Sequence, residues 1–85
     1  MRVIVRLGEP FWRTINTRSV ELSLPDDAHV TDALDALIAR YPMLASDLRE
    51  GEARPAMFLD DEEARPDSRP AEGATLHIVW PVSGG

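Results

Sequence analysis

The sequence contains neither cysteine nor lysine, and each absence excludes a set of chemistries. Without cysteine there is no disulfide, no thiol nucleophile, no iron–sulfur ligation and no zinc–thiolate site. Without lysine there is no ε-amine that could form a Schiff base or accept an isopeptide bond. All nine basic residues are therefore arginine, and polymers linked through the chain's own lysines are excluded.

Long apolar runs are also missing. No stretch approaches 18 consecutive apolar residues, and a strand pattern begins directly after Met1. We therefore expect no membrane span and no signal peptide, and a cytoplasmic location by default. The 85 residues suffice for one compact domain, and 44% hydrophobic with 28% charged residues is typical of a globular chain.

Basic residues are fewer than acidic ones. Nine arginines stand against fifteen aspartates and glutamates, which gives a formal net charge of -6. Such an excess argues against nucleic acid as a partner, because the phosphate backbone attracts basic patches and repels acidic ones. It favours a partner protein with a basic docking surface.

Motifs for metals, nucleotides and nucleophilic catalysis are absent from the sequence. His29 and His77 are far apart in the chain and have no further ligand at metal spacing. The run Asp60-Asp61-Glu62-Glu63 could hold a divalent cation, but it lacks calcium-loop spacing and is typical of a solvated turn. No serine has a credible His–Asp partnership, and no glycine-rich phosphate loop occurs. We therefore expect no metal, no bound cofactor and no catalytic activity of the chain's own.

Four stretches are predicted to form strands. Residues 2–7 and 19–24 alternate between apolar and polar side chains, and the ten or so residues between them predict a long hairpin loop with Phe11 and Trp12. Residues 56–59 and 75–80 predict two further strands. On the last strand, the alternation assigns to the core face Leu76, Ile78 and Trp80. The opposite face then carries Thr75, His77 and Val79.

Residues 30–41 change to a helical period, and Pro42 ends the helix. Its apolar stripe consists of Val30, Ala33, Leu34, Leu37, Ile38 and Tyr41. A short helical piece is expected within the loop of residues 43–55. The order strand, strand, helix, strand, strand predicts an α+β domain, in which a mixed sheet of four or five strands packs on one main helix.

The sequence closes with two glycines after an apolar approach, Trp80-Pro81-Val82-Ser83-Gly84-Gly85. Glycine permits any φ/ψ and has no Cβ, so such a segment could enter a narrow active-site channel. Extended from Val82, it could reach roughly 12–14 Å beyond the fold. A frayed tail is the alternative. The expected organisation is a domain over residues 1–81 and an extended reactive tail over residues 82–85, with the carboxylate of Gly85 as the reacting group.

The segment from Thr75 to Gly85 resembles the end of ubiquitin, and the whole chain resembles the MoaD/ThiS family of bacterial sulfur carriers, most of all the small subunit of molybdopterin synthase. Pro81 stands where ubiquitin has arginine, which favours the sulfur carriers. The resemblance implies a ubiquitin-like β-grasp fold with the last strand in the centre, beside the first. The family usually has serine or threonine where His29 stands, so Thr31 or Asp32 is expected to cap the helix instead.

The resemblance also implies a chemistry at Gly85. An E1-like enzyme would use Mg-ATP to form an acyl-adenylate on this residue, and sulfur from a persulfide enzyme would displace AMP to leave a thiocarboxylate. That group would deliver sulfur inside a synthase such as the large subunit of molybdopterin synthase. Molybdopterin is the first pathway considered, and thiamin thiazole and cysteine biosynthesis stay open.

Two other functions also stay open. The chain could be a ubiquitin-like modifier conjugated to other proteins through Gly85, or an interaction domain with an idle tail. For docking, we propose an exposed patch formed by His77 and Val79 with Ile4 from the neighbouring strand. Trp12 is a second candidate, since tryptophan is enriched among interface anchors, although it could instead pack on its own core.

Overall fold

A computed structural model describes residues 1–50, without the side chain of Glu50, and residues 55–80. Five strands form one mixed sheet: β1 (Arg2–Leu7), β2 (Ser19–Ser23), β3 (Ala56–Leu59), β4 (Glu62–Glu63) and β5 (Thr75–Val79). Their order across the sheet is β2-β1-β5-β3-β4. Only the central pair β1–β5 is parallel, and the other pairs are antiparallel. The predicted placement of the last strand, central and beside the first, is confirmed.

The main helix, α2 (Val30–Arg40), packs across one face of the sheet. The backbone N–H of His29, the N-cap residue, donates to Asp32 Oδ2 at 2.7 Å. The prediction that Thr31 or Asp32 caps the helix in place of His29 is therefore wrong, because both residues lie within the first turn. Asp32 stabilises the helix start from the third helical position. The helix ends as predicted, since Tyr41 is the C-cap and a 3₁₀ turn, Pro42–Leu44, follows it.

The hydrophobic core lies between α2 and the facing side of the sheet. Its fully buried residues come from β1, β5, α2, the 3₁₀ turn and the segment between β1 and β2, and the largest are Phe11, Leu37, Leu44, Leu76, Ile78, Val3, Val5 and Val30. The apolar alternations of residues 2–7, 19–24 and 75–79 and the helical stripe of α2 therefore identified most of this core correctly. A π-helical turn, Ser46–Glu50, occupies part of the loop in which a short helical piece was predicted.

The predicted hairpin loop contains a short helix, α1 (Phe11–Ile15), which ends at Asn16 with φ 55°. Phe11 from this helix is fully buried at one end of the core. Trp80, which the alternation assigned to the core, is 42% exposed, so that assignment is wrong. The reason is that β5 ends at Val79, so Trp80 lies beyond the strand, and its ring packs on the fully buried ring of Phe11.

The charged turn after β3 is more regular than predicted. Asp60 adopts φ 53°, which reverses the chain, and the next residues form β4, which pairs back on β3. No described helix has the length and apolar character needed to cross a membrane.

Candidate docking face and the end of the last strand

The sheet face opposite α2, here called the outer face, carries Ile4, Arg6, Phe58, His77 and Val79. The strand register places these residues side by side. His77 pairs with Arg6 of β1 on one side and with Phe58 of β3 on the other. Ile4 is opposite Thr75, and Val79 is opposite Ala56. A half-buried apolar surface with one histidine and one arginine therefore spans the three central strands.

The structure brings together the three docking residues that the sequence suggested, Ile4, His77 and Val79, and adds Phe58. Phe58 is 37% exposed because its neighbours Met57 and Leu59 point to the core side, opposite Ile78 and Leu76. In the sequence the apolar run of β3 does not show which residue faces outward. Phe58 faces outward because it pairs with His77, and this pairing depends on the register between β3 and β5.

Val79 lies against the end of β1. The backbone N–H of Gly8 donates to the carbonyl oxygen of Ile78 at 2.9 Å. A Cβ at Gly8 would lie 3.3 Å from Cγ1 of Val79, closer than side-chain contacts normally come. The absence of a side chain at Gly8 thus allows the end of β5 to approach the chain between β1 and α1.

Trp12, the second docking candidate, is carried by α1, which packs beside the 3₁₀ turn on the helical side of the sheet. Its half-buried ring lies beneath two cations: Cζ of Arg18 is 4.2 Å and Cζ of Arg13 is 5.0 Å from the ring centroid. We call Trp12, Arg13 and Arg18 the arginine–tryptophan cluster. Neither arginine was predicted as a site residue from the sequence, since only the fold places Arg18 next to α1.

Glu9 borders this cluster. Arg13 Nη2 donates to Glu9 Oε1 at 2.8 Å, and this hydrogen bond together with the charge of Arg13 lowers the pKa of Glu9 below its ordinary value. The more distant charge of Arg18 and a hydrogen bond from Trp12 act in the same direction. The carboxylate therefore stays ionised and holds Arg13 in place.

Trp80 is the last residue that the structure describes. Its ring packs on Phe11 with the centroids 5.9 Å apart, so the chain leaves the sheet beside α1 and Gly8. The predicted reactive tail, Pro81, Val82, Ser83, Gly84 and Gly85, lies outside the described residues. Within residues 1–50 and 55–80, no three His, Asp or Glu side chains form a group that could hold a metal ion.

Models of protein families and curated protein sequences gave no match to this chain. Solved structures match over the whole length. Small archaeal modifier protein 1 (SAMP1) from Haloferax volcanii is 30% identical, with 100% of both chains covered and a TM-score of 0.86. A chain of the BexX/CysO complex from Amycolatopsis orientalis is 22% identical, with 98% and 99% covered and a TM-score of 0.77. A chain from the complex of subunits 1 and 2 of the Helicobacter pylori molybdopterin-converting factor is 22% identical, with both chains fully covered and a TM-score of 0.63.

A mixed sheet with a central parallel pair, packed on one main helix, together with these matches defines a ubiquitin-like β-grasp protein. The two matches at 22% identity support this fold alone. The match at 30% identity over the full length carries the identification further: the chain belongs to the MoaD/ThiS family of ubiquitin-like sulfur carriers and modifiers.

Proposed function

We propose that the protein carries sulfur on its C-terminal residue, Gly85, as a thiocarboxylate. The observation that supports this most directly is the combination of family membership with the sequence Gly84-Gly85 at the C-terminal end. In this proposal the chain is a protein substrate and not an enzyme. It offers a rigid β-grasp domain for docking and one carboxylate for chemistry.

The proposed reaction begins at an E1-like enzyme that uses Mg-ATP. The carboxylate oxygen of Gly85 attacks the α-phosphorus of ATP, and pyrophosphate leaves. The terminal sulfur of a persulfide enzyme then attacks the carbonyl carbon and displaces AMP. A further thiol cleaves the resulting S–S bond, which forms a disulfide and releases the thiocarboxylate. The chain's own side chains take no part in these steps.

We propose that the outer face docks onto the partner enzymes. Ile4, Phe58, His77 and Val79 form a partly apolar surface around the centre of the sheet, and such surfaces on small proteins often mark interfaces. Two of the similar chains come from protein–protein complexes, which supports a synthase-like partner. One of these complexes is a molybdopterin-converting factor, so molybdopterin synthesis is the pathway we propose first, with thiamin thiazole or cysteine biosynthesis as alternatives.

Conjugation to other proteins is the second candidate function, because the 30% identical relative is named a modifier. Both functions use the same acyl-adenylate, so they diverge only afterwards. Mass spectrometry of the native protein distinguishes them. One sulfur in place of one oxygen at Gly85 supports the carrier, and covalent adducts with other proteins support the modifier.

ATP–pyrophosphate exchange with the cognate adenylating enzyme tests the proposal. We expect exchange with the intact chain and none with a chain lacking Gly85 or with Gly84→Leu, because a bulky side chain obstructs a narrow channel. Ser83→Ala, which keeps both glycines, is the matched control and should support exchange. Melting temperatures of all variants exclude a folding defect as the cause. Normal exchange by the chain without Gly85 contradicts both carrier and modifier and leaves an interaction domain with an idle tail.

A further inference from the structure

The charge of this protein is unevenly distributed. Residues 6–18 contain three arginines and one glutamate, a formal charge of +2, whereas the remainder contains six arginines and fourteen acidic residues, a formal charge of −8. The positive segment comprises the end of β1, α1 and the residue before β2. We call this positively charged segment the cationic corner.

We propose that the arginine–tryptophan cluster, Trp12, Arg13 and Arg18, docks a carboxylate-bearing segment of the enzyme that adenylates Gly85. This inference rests on the proposed function and adds to it a second docking surface and the chemistry of its partner. The cluster lies on α1 and directly before β2, apart from the apolar part of the outer face.

The geometry of the cluster suits carboxylate binding. Two guanidinium groups lie over one indole ring, at 4.2 and 5.0 Å, and stacking on an aromatic face restricts their motion. A stacked guanidinium still directs its N–H edges outward, where they match the two oxygens of a carboxylate. Among the described side chains, Arg13 has an ion pair with Glu9, whereas no carboxylate lies within 4.0 Å of the nitrogens of Arg18.

The cluster also lies where the adenylating enzyme must reach. Phe11, which precedes Trp12, packs on Trp80, so the cluster is next to the point at which the chain continues towards Gly85. Arg6 of the outer face pairs with Ser19, the neighbour of Arg18, and therefore links the cluster to the outer face. One enzyme could contact both surfaces while it holds the C-terminal residues.

The net charge of the chain makes this corner selective. Because the sequence outside residues 6–18 carries a formal charge of −8, an acidic protein surface is favoured at the cluster over that remainder. The contact therefore sets the orientation and the rate of docking more than the total affinity. A nucleic acid is the less favoured ligand, because its phosphates would extend beyond this small area onto the acidic remainder.

The test is the ATP–pyrophosphate exchange of the cognate adenylating enzyme, measured over a range of carrier concentrations and at low and high salt. We expect Arg18→Glu to raise KM for the carrier about tenfold at low salt, with kcat changed by less than about twofold, since steering charges act on encounter. Raised salt should weaken wild-type binding and affect the variant less. Trp12→Leu should raise KM as well. Arg65→Glu, the same charge change in the exposed loop after β4, is the control and should leave KM unchanged.

Each result has a definite meaning. Wild-type exchange with equal KM for Arg18→Glu and Arg65→Glu overturns the docking proposal and leaves the proposed function intact. A loss of kcat at unchanged KM also overturns it, as does binding of single-stranded RNA that is lost in Arg18→Glu while KM stays the same. Absence of exchange with the wild-type chain overturns the proposed function and this inference together. Circular dichroism and melting temperature of each variant exclude unfolding as the source of a raised KM.

Discussion

The rings of Phe11 and Trp80 pack against each other with their centroids 5.9 Å apart and their planes inclined by 48°. Phe11 is fully buried, and Trp80 covers it while remaining partly exposed. In the sequence, α1 connects β1 to β2. The contact joins this helix to Trp80, the residue that follows β5. The contact therefore holds Trp80, the last described residue, at this end of the sheet.

The aromatic pair should contribute measurably to stability. We expect Trp80→Ala to lower the free energy of unfolding by about 1–2 kcal/mol, since it removes a partly exposed ring together with the aromatic contact. Phe11→Ala should cost about 3–5 kcal/mol, because it leaves a cavity in the core. That loss could unfold so small a domain, so Phe11→Leu serves in the double-mutant cycle. Urea denaturation should give a coupling of about 0.5–1.5 kcal/mol between positions 11 and 80, and strictly additive effects would contradict the contact.

The same pair shows where sequence patterns stop being informative. Alternation in β1 and the helical period of α2 predicted both elements, because each pattern persists over enough residues to have a single interpretation. Trp80 continues the alternating pattern of Leu76 and Ile78, but β5 ends at Val79, one residue before Trp80. The helix α1 has only five residues, too few for a periodic pattern, and it supplies the fully buried ring on which Trp80 packs.

The candidate site was predictable to a similar extent. The alternation in the last strand alone placed His77 and Val79 on the outer face. The family resemblance implied that the first strand, which carries Ile4, lies beside it. Phe58 could not be added, because it depends on the register between β3 and β5. The contact of Arg18 with Trp12 depends on how α1 folds back beside the start of β2, which no local pattern determines.

A charge on the outer face should weaken partner binding and leave the fold intact. We expect Val79→Asp to raise the dissociation constant for the adenylating enzyme or the synthase at least about tenfold, as the loss of an interface anchor does. Ser23→Asp, which introduces the same charge on an exposed edge residue of β2, is the control and should bind normally. Isothermal titration calorimetry measures both.

Because Val79 is half-buried above Gly8, Phe58→Ser provides a second test at a more exposed position. Normal binding by Phe58→Ser and Val79→Asp together would contradict the assignment of the outer face. Melting of either variant at a much lower temperature than the wild type would show that its residue supports the fold.

The titration of Glu9 should reveal the electrostatics of the cationic corner. The hydrogen bond and charge of Arg13 hold the pKa of Glu9 below its ordinary value, so the ion pair favours the folded state at neutral pH. Its contribution is present above the unfolded-state pKa and is lost as the pH falls through the depressed folded-state pKa. Arg13→Gln should move the pKa of Glu9 upward, towards its ordinary value. Carbon-13 NMR of the Glu9 carboxylate measures this shift, and Arg2→Gln, whose partner is Glu21, should leave it unchanged.

The start of α2 depends on one carboxylate, because Asp32 Oδ2 accepts the backbone N–H of His29 at 2.7 Å. Asp32→Ala should lower the free energy of unfolding by about 1 kcal/mol, since it removes this hydrogen bond and a negative charge near the positive end of the helix dipole. Asp32→Asn keeps an acceptor oxygen but not the charge, so it should cost about half as much. Asp67→Ala removes an exposed aspartate from a loop and controls for the change in net charge. Urea denaturation at neutral pH measures all three variants. Equal stability of Asp32→Ala and Asp67→Ala would show that the helix begins without help from Asp32.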